Sequence, residues 1–404
     1  MRAAIAIAAM LWAALMPSLM AAQDHPIRIG VLDDQSGPYA DLSGLGSVTA
    51  AELAVADVGR VLGRRVEILS ADHQNKADVG GAIARRWIDV DDVDMITGLS
   101  NTSVALAVRN VARAANKIDI VSGGGASDLT GKYCSPTSFH WVYDSYALAK
   151  IIGGATVKTG SDTFFTVAAD YAFGAAMARD GSRFAEAAGG KPMGMIRAPL
   201  NTSDYSSFIL QAQSSRAKVI MLAIAGTDLI NFIKQAAEFG VMASGQKLAS
   251  YIMFVNDVHA LGLKAAQGSL LAEAFYWDQD DEARAFSKRF FSRRNAMPNS
   301  IQAGVYSAVK HYLTAVQSAG TTEGPAVAAK MRELPVEDFM TKGGQVRLDG
   351  RMLRDFFLFE TKTPAESTSE WDLMKPIKRV SGDETFRPLY EGECPLVSAG
   401  EVKN

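Results

Sequence analysis

Ile96 to Val108, ITGLSNTSVALAV, is an apolar run that passes into hydroxyl and amide residues and then into an alanine-rich stretch. The pattern predicts a strand, a polar turn and a helix N-terminus. In that geometry Asn101, Thr102 and Ser103 sit where a helix has unpaired backbone N–H groups and the positive end of its dipole, a place suited to a carboxylate or other anion. The same residue types are preferred N-caps whether or not a ligand comes. A second turn of this kind, Ser122 to Asp128 (SGGGASD), follows the apolar strand Ile118 to Val121 and contributes Gly125, Ala126 and Ser127. Two such turns on adjacent parallel strands would face one crevice.

Around these turns, short β-type runs alternate with helical ones. IRIGVL (Ile27 to Leu32), RVEIL (Arg65 to Leu69) and VDMIT (Val93 to Thr97) complete a first set of strands, with helices between them. TFFTVA (Thr163 to Ala168), GMIRA (Gly194 to Ala198), KVIMLA (Lys218 to Ala223) and YIMFV (Tyr251 to Val255) form a second set. Strands alternating with helices imply parallel sheets covered on both faces. The fold expected is α/β, with two doubly wound parallel-sheet lobes joined by a hinge that the chain crosses more than once. The crossings fall near Trp141 to Ser145, Tyr276 to Asp280 and Phe339 to Gly344, which assigns 23–142 with 275–340 to one lobe and 143–274 with 341–375 to the other. A tail follows over 376–404.

Composition agrees with a globular chain: 48% of the 404 residues are apolar and 21% are charged, with a formal net charge of −3. Without a basic block, nucleic-acid and anionic-membrane partners are disfavoured. Residues 1–22 have the layout of a secretory signal peptide, Arg2 before an apolar run and small residues at Ala21 and Ala22, so an exported, periplasmic protein is expected. The two cysteines, Cys134 and Cys394, have no metal-type spacing, and in an exported chain an even count reads first as a disulfide, with two buried free thiols as the alternative.

Catalytic signatures are absent from the sequence: there is no G-x-S-x-G, H-E-x-x-H or P-loop, and His25, His73, His140, His259 and His311 form no ligand spacing. Gly44-Leu45-Gly46 lies too far past its strand for a dinucleotide fingerprint and reads as loop glycine. No enzyme activity, cofactor or metal is expected.

The chain resembles the type I periplasmic solute-binding proteins of the leucine/isoleucine/valine-binding branch. The resemblance is carried by IRIGVLDDQSGPYADLSG from Ile27, ITGLSNTSVALAV, VSGGGASDLTG from Val121, DYAFG (Asp170 to Gly174) and NTSDYSSFILQAQ from Asn201. It runs in order through essentially the whole chain after the signal segment. In that family the two first-lobe turns hold the ligand carboxylate, and an acidic residue of the second lobe takes the α-ammonium.

Carried onto this chain, the resemblance implies Thr102, flanked by Asn101 and Ser103, in the first turn and Gly125, Ala126 and Ser127 in the second. Where the family often has a threonine, this chain has Ala126 followed by Ser127. Tyr171 matches an aromatic lid, and the acidic position falls at Asn256 or Asp257 after YIMFV. Tyr39, Tyr276 and Trp277 add aromatic surface near the cleft. The implied function is solute capture by hinge closure for an ABC permease, by a monomer. A branched-chain or other small apolar amino acid is the expected solute, with an aromatic or other apolar carboxylic acid as the alternative. A ligand sensor for a membrane receptor is the other role the same fold would serve.

Overall fold

The computed structural model describes residues 25–397; the expected signal peptide lies outside them. Five parallel strands form the first sheet, in the order β2-β1-β3-β4-β5: β1 (Ile27–Asp33), β2 (Val66–Asp72), β3 (Met95–Gly98), β4 (Ile118–Val121) and β5 (Ser138–His140). β3, β4 and β5 are buried throughout. β3 and β4 read this way because they are inner strands with helices on both faces, and β5, at the edge, is covered by a bridge from His140 to Arg351. The second sheet has the order β7-β6-β8-β9, from β6 (Thr163–Ala169), β7 (Lys191–Ala198), β8 (Val219–Ala223) and β9 (Lys247–Ser250), again all parallel.

A third sheet is antiparallel, order β10-β13-β14. It consists of β10 (Leu270–Glu273), β13 (Phe356–Thr361) and β14 (Met374–Val380), and a short hairpin of β11 (Gln345–Val346) with β12 (Met352–Leu353) lies between β10 and β13 in the chain. β14 runs across the boundary at 375 where the tail was expected to begin. Helices Asp281–Arg294 and Ser300–Ala319 pack back on Gly44–Val58: Arg289 pairs with Asp57 at 2.7 Å, and the Tyr306 hydroxyl donates to the same carboxylate at 2.8 Å. Gly44 and Gly46, expected in a loop, instead open that first helix.

YIMFV is not a strand. β9 ends at Ser250, residues 251–254 leave the sheet, and a helix begins at Val255. Tyr251, Ile252, Met253 and Phe254 are all buried because the segment turns into the space between the sheets. A short apolar run does not distinguish that situation from a buried strand.

The chain after β14 is tied to the first sheet's side of the molecule. Cys134 and Cys394 are bridged, and Arg387 donates to the Ser127 carbonyl at 2.9 Å.

Candidate functional site

The site forms where the C-terminal ends of β1, β3 and β4 meet the corresponding ends of the second sheet. At the end of β1, the buried Asp34 carboxylate accepts the N–H groups of Gly37 and Tyr39, both at 2.8 Å, and so folds the following loop and projects Tyr39. At the end of β3, Asn101 caps the helix Thr102–Ala114, its side-chain oxygen taking the N–H groups of Ser103 at 2.9 Å and Val104 at 3.2 Å. Val104, Ala105, Val108 and Ala112 bury the inner face of that helix. Ser100 stands just before the cap, its N–H on Asp33 Oδ1 at 2.9 Å.

The two polar turns touch. Ala126 donates its N–H to Thr102 Oγ1 at 3.3 Å, and Tyr143, on the first crossing, donates its hydroxyl to the Gly123 carbonyl at 2.5 Å. Gly125 has no room for a side chain, since an added Cβ would stand 2.9 Å from the rings of both Phe173 and Tyr143. Ser127 is buried but turned from the cavity: its hydroxyl donates to Asp180 Oδ2 at 2.8 Å and accepts from Arg179 Nη2 at 2.9 Å.

Between the turns and the second sheet lies a small cavity of about 20 Å³, open at its mouth. On the first-sheet side it is walled by Tyr39, Leu42, Ser100, Gly123, Gly125 and Ile301, with Tyr143 at the crossing. Opposite stand Tyr171, Phe173, Ala225, Ile252 and Phe254. Tyr39 and Tyr171 meet hydroxyl to hydroxyl at 3.0 Å, closing the space between the lobes. Burial pushes the phenols of Tyr39, Tyr143 and Tyr171 up, so all three remain neutral hydrogen-bonding groups. None of the lining residues carries a charged side chain.

Of the residues singled out from the sequence, Tyr39, Gly125 and Tyr171 lie on the cavity wall, and the others do not. Asn101 is a cap, Ser103 gives its N–H to that cap, Thr102 and Ala126 hold the two turns together, and Ser127 faces the helix Ala172–Ala187. Asn256 bonds to the Met297 carbonyl at 3.3 Å and accepts from Asn299 at 2.8 Å. Asp257 folds back on its own helix, taking the Phe254 N–H at 2.9 Å. Tyr276 and Trp277 both donate to the Trp371 carbonyl, at 3.2 and 2.9 Å, away from the cavity.

Ser100 and Gly123 lie inside the quoted motifs and Tyr143 in the first crossing without having been singled out, while Ile252 and Phe254 were hidden by the strand reading. Among the described residues no group of three His, Cys, Asp or Glu side chains is placed to hold a metal, and no helix is long and apolar enough to cross a membrane.

The comparisons agree with this architecture. A periplasmic binding protein from Burkholderia mallei is 44% identical, superposes with a TM-score of 0.90, and the match covers 92% of this chain and 99% of that one. A branched-chain amino acid ABC transporter ligand-binding protein from Burkholderia xenovorans is 37% identical, with a TM-score of 0.80 and the same coverage. The Leu/Ile/Val-binding protein homolog 6 of Brucella melitensis is 26% identical over 252 residues, which span 61% of this chain and 63% of that protein's length. Such neighbours are solute-binding proteins rather than enzymes. Residues 26–367 match the periplasmic binding protein family, and the chain belongs to it.

Proposed function

We propose that this protein is the periplasmic solute-binding component of an ABC importer and that its solute is a small apolar carboxylic acid, with an aromatic acid the best fit. The carrying observation is the cavity wall, which offers aromatic and aliphatic surface, neutral hydroxyls and no side-chain charge. No carboxylate stands on that wall, and the buried Asp228, whose charge is felt at Tyr39 and Tyr171, is not among the lining residues; an α-ammonium left unpaired there costs several kcal/mol. Asp257, the residue expected to supply that partner, is turned into its own helix, and the positions facing the cavity are Ile252 and Phe254. A carboxylate, by contrast, finds on that wall Ser100, a neutral hydroxyl two residues before the helix that begins at Thr102. The phenol pair of Tyr39 and Tyr171 and the ring of Phe173 suit a flat body.

The second reading is a branched-chain amino acid, favoured by the descriptions of the Burkholderia xenovorans and Brucella relatives. Calorimetric titration with benzoate, 4-hydroxybenzoate, leucine and phenylalanine separates the two. Benzoates are expected to bind and leucine not. Tight leucine binding with silent benzoates would replace the first reading by the second.

A further inference from the structure

We infer that His73 is a positioning residue of the carboxylate site: it sets the Ser100 hydroxyl as a hydrogen-bond donor toward the bound anion. The inference rests on the reading of the cleft as a carboxylate site, whichever acid fills it. His73 lies just past β2, fully buried, at the back of the serine that reaches the cavity. Its Nδ1 accepts the Asn75 backbone N–H at 3.0 Å. A ring nitrogen that accepts carries no proton, so the neutral imidazole is the Nε2–H tautomer. Burial pushes the ring down to about 4, which keeps it neutral at physiological pH.

The Nε2–H faces Ser100 Oγ at 3.5 Å, and the Asp34 backbone N–H reaches the same oxygen at 3.3 Å. A hydroxyl has two acceptor lone pairs and one proton. With both lone pairs met by donors, the Ser100 proton is left to be given, and Ser100 is one of the residues that line the cavity. Asp33 is the competing acceptor for that proton. Its Oδ1 takes the Ser100 backbone N–H at 2.9 Å, and although burial pushes the acid up to about 7, hydrogen bonds from the Ser47 and Ser100 side chains hold it down against that. A bound carboxylate therefore has to take the Ser100 proton in place of Asp33.

Asn75 connects this arrangement to both neighbouring loops. Its amide donates to Asp34 Oδ2 at 2.5 Å, and its side-chain oxygen accepts from Asn101 at 3.2 Å. The loop after β2 therefore holds the histidine at a defined distance from both the serine and the helix cap.

The test is a double-mutant cycle on the full-length mature protein, with benzoate and leucine as the two carboxylate probes. His73→Asn keeps an acceptor near Nδ1 but has nothing at Nε2, whereas His73→Gln places an amide N–H near Nε2. His73→Asn is expected to weaken the carboxylate that binds roughly tenfold, the worth of one hydrogen bond to a charged group. His73→Gln should recover most of the loss, and Ser100→Ala added to His73→Asn should cost little more. Losses that add in full, or equal losses for Asn and Gln, overturn the inference while leaving the carboxylate site intact. Wild-type protein that binds neither probe overturns both. Nitrogen NMR of histidine-labelled wild-type protein gives a readout that needs no variant: the Nε2–H tautomer is expected at His73, and an Nδ1–H tautomer would exclude the arrangement.

Discussion

Thr227 donates its backbone N–H to the Pro38 carbonyl at 3.0 Å, joining the loop after β1 to the start of the helix Thr227–Glu238 across the cleft. The contact is possible because the preceding residue is Gly226, held at φ +59 and ψ −137, where an added Cβ would run into the Pro38 oxygen. Only glycine adopts that backbone conformation without strain.

Gly226→Ala is therefore expected to act twice, through the clash with Pro38 on the contact across the cleft and through backbone strain on the fold itself. Each costs about 1–3 kcal/mol. Calorimetry should show ligand affinity reduced, and the melting temperature of the free protein should fall as well. Unchanged affinity would show that closure does not need this contact.

Asp257→Asn is expected to leave carboxylate affinity unchanged, since the native carboxylate holds the Phe254 N–H and not the cavity. Its effect should appear in stability against pH. Burial raises Asp257 from 3.8 to about 7, so the folded state holds the proton more tightly than the unfolded state does. The stability tied to this group is fully present below pH 3.8 and is lost as pH rises through about 7, at about 1.4 kcal/mol per pH unit within that window. The variant should match wild type near pH 4 and exceed it at pH 8 in chemical denaturation. A variant less stable at pH 8 would contradict the assignment.

Ser100 and Thr102 should behave differently although they are two residues apart. Ser100 lines the cavity, so Ser100→Ala is expected to lower affinity for the carboxylate by about 1–3 kcal/mol, and to lower the melting temperature as well because the buried Asp34 N–H loses its acceptor. Thr102→Val leaves the buried Ala126 N–H without its acceptor and should cost about 1–3 kcal/mol of stability. Titration and thermal denaturation of both variants check this. The reverse pattern would place the ligand on Thr102.

The Cys134–Cys394 bridge closes a separation of 260 residues. Loop-closure entropy gives an upper figure of about 5 kcal/mol for so long a loop. Reduction, or Cys394→Ser, is expected to lower the melting temperature and to free the segment that carries Arg387 and Glu391 from its contacts with Ser127 and Arg183. Limited proteolysis before and after reduction would show cleavage after β14 only in the reduced protein. Equal resistance in both states would mean that the noncovalent contacts suffice.

The alternation of apolar runs with helical stretches determined seven of the nine strands of the two parallel sheets, leaving out β5 and β9, and the placement of SNTS and SGGGASD after β3 and β4 pointed to where the proposed site would lie. Both are local properties: strand and helix periodicity, capping chemistry and the glycine content of a turn are written within a few residues of each other. Orientation was decided only by tertiary packing. Whether Thr102 or Ser100 faces the cavity, whether Asp257 points in or folds back on Phe254, and whether Tyr276 lines the cleft or bonds to Trp371 each depends on partners far along the chain. Burial also reads alike for a strand and for a chain turning into a closed cleft, which is why Ile252 and Phe254 were legible as apolar and not as walls of the site. The sequence determined which residue types were at hand, and the packing of one lobe against the other decided which of them a ligand would meet.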